Sequence, residues 1–246
     1  MINSTKKILI KVRTGINDTF STIASGINWA VKKKINLNNI YFTHPIYKNL
    51  NKFLNFKTIN YISDIQDESI YDYVLTKNTC SHTNLNLDNP YHLSNFIELN
   101  DYILNKINNL NIKADIGIHF RFKGEEFNNL NRIQNDTFFY KEKFLKIYNP
   151  DKQYVVCSPS CILNDFFLNF KNVYFKPKTY TAFLQHNRQL YTEDIFTDLG
   201  ILSKCKKIYR TEGYFTESAR MFAKGKTKLI SLYINRHNTA ETPTNI

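Results

Sequence analysis

The stretch IGIHFRFKGEE, residues 116–126, runs alternating apolar residues directly into His119, Arg121, a glycine and two carboxylates, Glu125 and Glu126. Alternation of this kind is the pattern of a buried strand, and here the strand delivers a cation to its carboxyl end. In open α/β sheets the crevice beyond the strand ends is where ligands bind. An arginine suits phosphate there, because its planar guanidinium presents a fork of donors and keeps its charge. The competing reading is a surface pair of Arg121 with Glu125 or Glu126, an arrangement worth little energetically. Two further loops have the composition for similar chemistry. Gly15, Ile16, Asn17 and Asp18 follow the strand KILIKV, residues 7–12, and open a helix. Loop amides and the helix dipole could hold a polar ligand there, with Asn17 or Asp18 as the cap. DLGILSKCKKIYRTEGYFTESARMFAKGKTKLI, residues 198–230, reads as helix, strand, glycine-containing loop, then helix and a final apolar run. Gly213, Tyr214, Phe215 and Thr216 sit at the N-terminus of that second helix, whose amides would suit a diphosphate.

The elements that must position these loops follow from periodicity. Phe20, Ile23, Ala24, Ile27, Ala30 and Val31 recur at helical spacing, and NIYF near residue 40 is a second strand. This β-loop-α-β order opens a parallel sheet. Residues 43–95 hold short apolar pieces such as YDYVL between Asn-rich loops and define no clear element. From Leu93 to Leu110 the helical period returns through Phe96, Ile97, Ile103, Leu104, Ile107 and Leu110. Past a boundary near residue 112 the alternation is regular. It comprises the strand ADIGIHF, a helix over 137–148, the strand QYVVCS, the helix CILNDFFLNF and the strand NVYFK. A helix ending near Cys205, the strand KKIYR, a helix from about Thr216 and the strand TKLISLYI complete it. The pattern predicts two Rossmann-like α/β lobes, residues 1–111 and 112–235, facing across a cleft, with a frayed polar tail at 236–246.

Composition sets the outer limits. A chain of 246 residues with 42% hydrophobic and 15% aromatic residues is globular and can bury a substantial core. No apolar run approaches the ~20 residues of a membrane span, and the N-terminus lacks a signal-peptide core, so a cytoplasmic location is expected. Cys80, Cys157, Cys161 and Cys205 show neither zinc-ligand pairing nor the density of a disulfide scaffold, and Cys157 and Cys161, four apart beside an apolar strand, read as buried free thiols. Neither His nor acidic residues form a metal motif, so no metal is expected. The net charge of +12 favours an anionic partner: nucleic acid, an anionic membrane surface where lysines could meet lipid, or a phosphorylated ligand. Interleaved Tyr, Phe and Lys could stack on and neutralise single-stranded nucleic acid, although no nucleic-acid motif accompanies them.

The order of the three loops resembles that of the GDP-fucose-dependent fucosyltransferases, which comprise α-1,2-, α-1,6- and protein O-fucosyltransferases. TGINDTFSTIASGINWA is similar to their N-terminal glycine-x-asparagine loop and helix, and IGIHFRFKGE to their His-x-Arg motif with nearby glycine and acid. DLGILSKCKKIYRTEGYFTESA is similar to their third motif, in which Asp, Leu, Ser and Cys precede a strand and a small-residue loop with Phe and Ser or Thr. The likeness spans residues 8–230 apart from 43–95 and is nearest the bacterial α-1,2 branch. Two departures stand out. HFRFKGE replaces His-x-Arg-Arg-Gly-Asp, and Gly213-Tyr214-Phe215-Thr216-Glu217-Ser218-Ala219 replaces Ser-Ser-Phe-Ser-Trp-Trp-Ala.

The resemblance implies a GT-B-like fold and an inverting transfer of fucose from GDP-fucose to a glycan hydroxyl, without a metal or other cofactor. It implies that Arg121 binds the diphosphate and stabilises departing GDP, while His119 contacts the nucleoside. Gly15 and Asn17 would line the cleft, and Asp198, Tyr214 and Thr216 would complete the nucleotide pocket. Glu125 and Glu126 are then the base candidates, with Asp18 behind them. The same fold with another nucleotide-sugar donor, or without activity, stays open. A basic nucleic-acid-binding protein is the reading from a different class.

Overall fold

The run Ile8, Leu9 and Ile10 is fully buried and forms β1 (Ile8–Lys11), the seed of the first sheet. The computed structural model describes residues 5–12, 15–44, 47, 49–65, 67–76, 92–122, 129–158, 160–178, 191–211 and 215–232. β1 pairs in parallel with β2 (Ile40–Thr43) on one side and β5 (Tyr73–Thr76) on the other, and β4 (Asn60–Tyr61) extends the sheet beyond β2. The helix α1 (Ile16–Lys32) lies on this sheet with Phe20, Ile23, Ile27 and Ala30 buried on one stripe. The short strands β3 (Leu54–Phe56) and β6 (Ile97–Leu99) form a separate antiparallel pair.

The second sheet has the order β11-β10-β7-β8-β9 and is parallel throughout. Its strands are β7 (Ile116–His119), β8 (Tyr154–Cys157), β9 (Val173–Phe175), β10 (Lys207–Arg210) and β11 (Lys228–Ser231). Parallel neighbours require crossovers. The chain supplies α2 (Asp101–Asn109) before β7, α3 (Leu130–Ile147) before β8, α4 (Asn164–Phe167) before β9, α5 (Thr192–Ser203) before β10 and α6 (Phe215–Phe222) before β11. From β7 the strands step outward through β8 to β9, and the chain then returns to place β10 on the opposite edge of β7. That reversal makes β7 and β10 the switch point of the sheet, and open α/β sheets bind ligands in the crevice outside the carboxyl ends of such strands.

Burial divides this sheet into two faces. Ile116, Ile118, Phe120, Phe122, Tyr154 and Val156 pack with Tyr140, Phe144, Leu163 and Phe167 from α3 and the α4 region. Val155, Cys157 and Ile208 belong instead to a larger cluster with Leu199, Leu202 and Cys205, which runs without a break to Ile8, Ile10, Phe20 and Ile27 of the first sheet. The edge-on packing of Phe20 against Phe222, with centroids 5.6 Å apart, joins α1 to α6 inside that cluster.

The elements differ from the expected ones in three places. No single helix runs from Leu93 to Leu110. A 3-10 turn (Leu93–Asn95) is followed by β6, and α2 starts only after Asn100, whose side chain accepts from the Ile103 amide at 3.1 Å. Ile97 and Leu99 are held by pairing with β3, far away in sequence. The helix expected at 137–148 starts earlier, where Asn129 caps Leu130–Ile147 by accepting from the Arg132 amide at 3.0 Å. CILNDFFLNF is a 3-10 turn (Cys161–Leu163) plus the single turn α4, not one helix. The tail 236–246 lies outside the described residues. Among the described residues, no helix is long and apolar enough to cross a membrane.

Close approach, rather than turn geometry, accounts for Gly200. A side chain built there runs into the buried Ile107 of α2 and Leu99 of β6. Gly200→Val is therefore expected to destabilise the protein by about 1–3 kcal/mol, as overpacking does. A fall in the urea midpoint at unchanged m-value would check it.

Candidate functional site

The site grows from the alternation in β7 and its extension. Phe120 and Phe122 are wholly buried against α3 and α4, on the same face as Ile116 and Ile118. Gly117, His119 and Arg121 consequently belong to the opposite face, toward α5 and α6. Partners in register on parallel strands share a face. His119 is in register with Cys157 on one side and Arg210 on the other. The carboxyl edge of the sheet thus presents the row Cys157, His119, Arg210, with Arg121 one step further out along β7's path.

Each member of the row meets a group from the covering helices. The Cys157 thiol lies 3.9 Å from the Asp198 carbonyl oxygen on α5. The His119 ring stacks on Phe215 at the start of α6, with centroids 4.6 Å apart and planes 19° off parallel. Arg210 Nη1 donates to Glu217 Oε1 at 2.8 Å and lies 3.5 Å from the Thr216 hydroxyl.

The backbone of Arg121 is fastened from both sides. Its amide donates to Thr211 Oγ1 at 2.9 Å, and the Tyr140 hydroxyl on α3 donates to its carbonyl oxygen. Thr211 also reaches the His119 carbonyl, with its amide at 3.2 Å and its hydroxyl at 3.4 Å. One hydroxyl can accept and donate at once, so Thr211 ties the ends of β7 and β10 together. Fixing the main chain of Arg121 limits where its guanidinium can go, which is what a preorganised anion ligand requires.

Electrostatics then separates the fixed charges of the site from its neutral groups. His119 is only 6% exposed, and burial first and the Arg121 charge second press its pKa from 6.5 to about 3. It is a neutral imidazole at physiological pH. Burial likewise holds the Cys157 thiol well above its ordinary value and pushes Cys205 to about 12, so both are inert thiols.

Asp198 is engaged as well. Its Oδ2 pairs at 3.2 Å with Lys178, whose side chain is 3% exposed and also lies 3.8 Å from Asp194, while Lys176 holds the other oxygen of Asp194. Burial opposes the charge on Lys178, yet Asp198 and Asp194 together hold its ammonium above the ordinary value. Burial raises the Asp198 carboxyl, and Lys178 offsets only part of that rise. This network anchors the chain leaving β9 to α5, beside Cys157.

Of the residues singled out in the sequence, His119, Arg121 and Thr216 converge at the crevice, and Asp198 lies next to it across Cys157. Thr216 is 1% exposed, with its hydroxyl facing Arg210. Gly15 and Asn17 belong to the carboxyl edge of the other sheet. The expected cap is corrected: Gly15 is the N-cap of α1, and Asn17 and Asp18 already lie in its first turn, where the Asp18 carbonyl accepts from the Thr22 hydroxyl at 2.7 Å. Glycine brings no side-chain oxygen to that cap. Glu125, Glu126, Gly213 and Tyr214 lie outside the described residues. Phe215, placed by its sequence at the start of α6, does stand there, whereas the parts played by Arg210, Thr211, Tyr140 and Lys178 carry no motif of their own. Arg210 still carried a usable signal, because KKIYR delivers a cation to a strand end just as IGIHFR does.

Fold and site together define an α/β protein of GT-B-like architecture with arginines at the carboxyl edge of its second sheet's switch point. No family model matches the chain, and no curated protein matches it in sequence. Solved structures do match. NodZ α-1,6-fucosyltransferase soaked with GDP-fucose superposes with a TM-score of 0.57 at 14% identity, covering 89% of this chain and 93% of that one. NodZ from Bradyrhizobium gives 0.58 at 15% identity, with 88% and 93% covered. POFUT1 in complex with GDP gives 0.53 at 6% identity over 94% of this chain and 100% of that one. FUT1 of Arabidopsis thaliana, with GDP, gives 0.51 at 9% identity over 94% and 71%. At these identities the likeness is one of fold.

Two outcomes follow from the site's charges. The folded pKa of His119 lies below its ordinary value, so the neutral ring's contribution is present above pH 6.5 and is lost as pH falls toward about 3. The stability difference between wild type and His119→Gln should shrink by up to ~1.4 kcal/mol per pH unit over that window, read from urea denaturation. Lys178→Met strands the Asp198 carboxylate and should cost about 3–5 kcal/mol, while adding Asp198→Leu should restore most of it in the same assay.

Proposed function

We propose that the chain is a glycosyltransferase that takes a nucleoside-diphosphate sugar, with GDP-fucose as the first candidate, and passes the sugar to a glycan hydroxyl. The observation that carries this reading is Arg121, fastened at both backbone groups by Thr211 and Tyr140 at the switch-point crevice. The fold likeness to fucosyltransferases solved with GDP or GDP-fucose supports it.

In this reading the acceptor oxygen attacks the anomeric carbon from the face opposite the diphosphate. The bond from that carbon to the diphosphate oxygen breaks, its electron pair leaves with GDP, and the configuration inverts. Arg121 stabilises the charge that develops on the departing diphosphate, an effect worth about 100- to 1,000-fold in rate for one well-placed donor. The acceptor's proton goes to a carboxylate, for which Glu125 and Glu126 are the candidates just beyond Arg121 in the chain. No resident metal is part of the proposed course. Neutral His119, braced by Phe215, meets the nucleoside without adding charge. An α-1,2 linkage is the reading carried over from the order of the motifs.

A different nucleotide-sugar donor is the second reading. It is favoured by Glu217, which stands where the third motif of the enzymes it resembles has a tryptophan and which pairs with Arg210.

GDP at about 100 times its Kd should stabilise the protein by ~2.7 kcal/mol. For a chain of this length that corresponds to a rise in Tm of roughly 5–10 °C. Arg121→Ala should abolish the rise. Equal shifts in both proteins would sink the site assignment, and a panel of nucleotide sugars with free nucleotide as the signal would identify the donor.

A further inference from the structure

We infer that Arg210 is a second ligand for the donor's diphosphate and that Glu217 occupies it as a stand-in anion until the diphosphate arrives. The inference rests on the nucleotide-sugar reading of the crevice. The crevice lies between β7 and β10, and each strand ends in an arginine on the same face: Arg121 beyond His119, and Arg210 in register with His119. Thr211 then locks the two strand ends together, so both arginines are carried by one rigid edge.

Charge counting favours an incoming anion. Glu217 lies between two guanidiniums, accepting from Arg210 Nη1 at 2.8 Å through Oε1 and pairing with Arg220 Nη2 at 3.2 Å through Oε2. Two positive charges thus share one negative charge. When a phosphate takes Arg210, Glu217 keeps Arg220, so the exchange leaves no carboxylate uncompensated. His119 is neutral and adds nothing to the balance, so the surplus positive charge of the Arg210–Glu217–Arg220 trio is what a phosphate meets. Arg210's side chain is 27% exposed, which lets a ligand reach it without unfolding the edge. A guanidinium can turn one of its N–H edges to phosphate while its stem stays packed.

Calorimetric titration with GDP and with guanosine separates this role from a merely structural one. Arg210→Gln is expected to weaken GDP about 10- to 100-fold, the size of one charge-assisted hydrogen bond. Guanosine, which lacks phosphate, should bind as it does to wild type. Glu217→Gln removes the competing anion, keeps the shape, and should tighten GDP severalfold. Arg210→Gln that leaves GDP unaffected, or weakens GDP and guanosine equally, overturns the inference. So does Glu217→Gln that fails to tighten GDP, and this variant decides the matter should Arg210→Gln not fold. Wild type that binds no GDP removes the nucleotide-sugar reading and this inference with it. Binding lost in Arg121→Ala but intact in Arg210→Gln removes only the role of Arg210.

Discussion

The site depends on β7 being hydrogen-bonded in parallel along both edges, to β8 and to β10. That register aligns Cys157, His119 and Arg210 at one level and on one face. A slip of β7 by a single residue would turn His119 to the opposite face, away from Cys157 and Arg210, because side chains alternate with a period of two. The slip is resisted by packing. Ile116, Ile118, Phe120 and Phe122 fill the α3 and α4 side, whereas Gly117 leaves room for Leu202, Cys205 and Ile208 on the other. The hydrophobic pattern that closes the core therefore also aims the polar row, and the topology adds a crevice at its centre.

Within the crevice the charges that persist at neutral pH belong to the arginines and carboxylates, not to the buried imidazole or thiols. His119 and Cys157 are held neutral by burial, so proton uptake and thiolate chemistry are closed to them in the folded protein. Lys178 and Asp198 illustrate the opposite case. Both are buried as ions, and they persist because a second carboxylate and a second lysine complete the network. Such a network holds α5 in place rather than doing chemistry. It places the helix that carries Asp198 directly over Cys157 and one strand away from His119.

Much of the fold was legible because its signals are local. The alternation of KILIKV, IGIHF, YVVC and KIYR marks four central strands, and the apolar stripe from Phe20 to Val31 marks α1. The segment 43–95 was not legible. β3 and β6 are three residues each and exist through pairing with one another across the chain, so neither carries a complete period of its own. For the same reason Ile97 fits a helical stripe, seven residues before Leu104, and only Asn100 shows where the helix begins. At α1 the polar residues Asn17 and Asp18 drew the cap forward, while the extended residue before the helix is Gly15.

The sequence by itself determined the strand that ends in His119 and Arg121, a helix from about Thr216, and the order of the three loops. These are statements about neighbours in the chain, and periodicity and composition report on neighbours. Only the tertiary structure decided that Arg210 stands beside His119, that Thr211 and Tyr140 fasten Arg121, and that Lys178 rather than solvent meets Asp198. Those contacts join residues far apart in sequence. They follow from the register and from the reversal of strand order at β7, which no local pattern encodes.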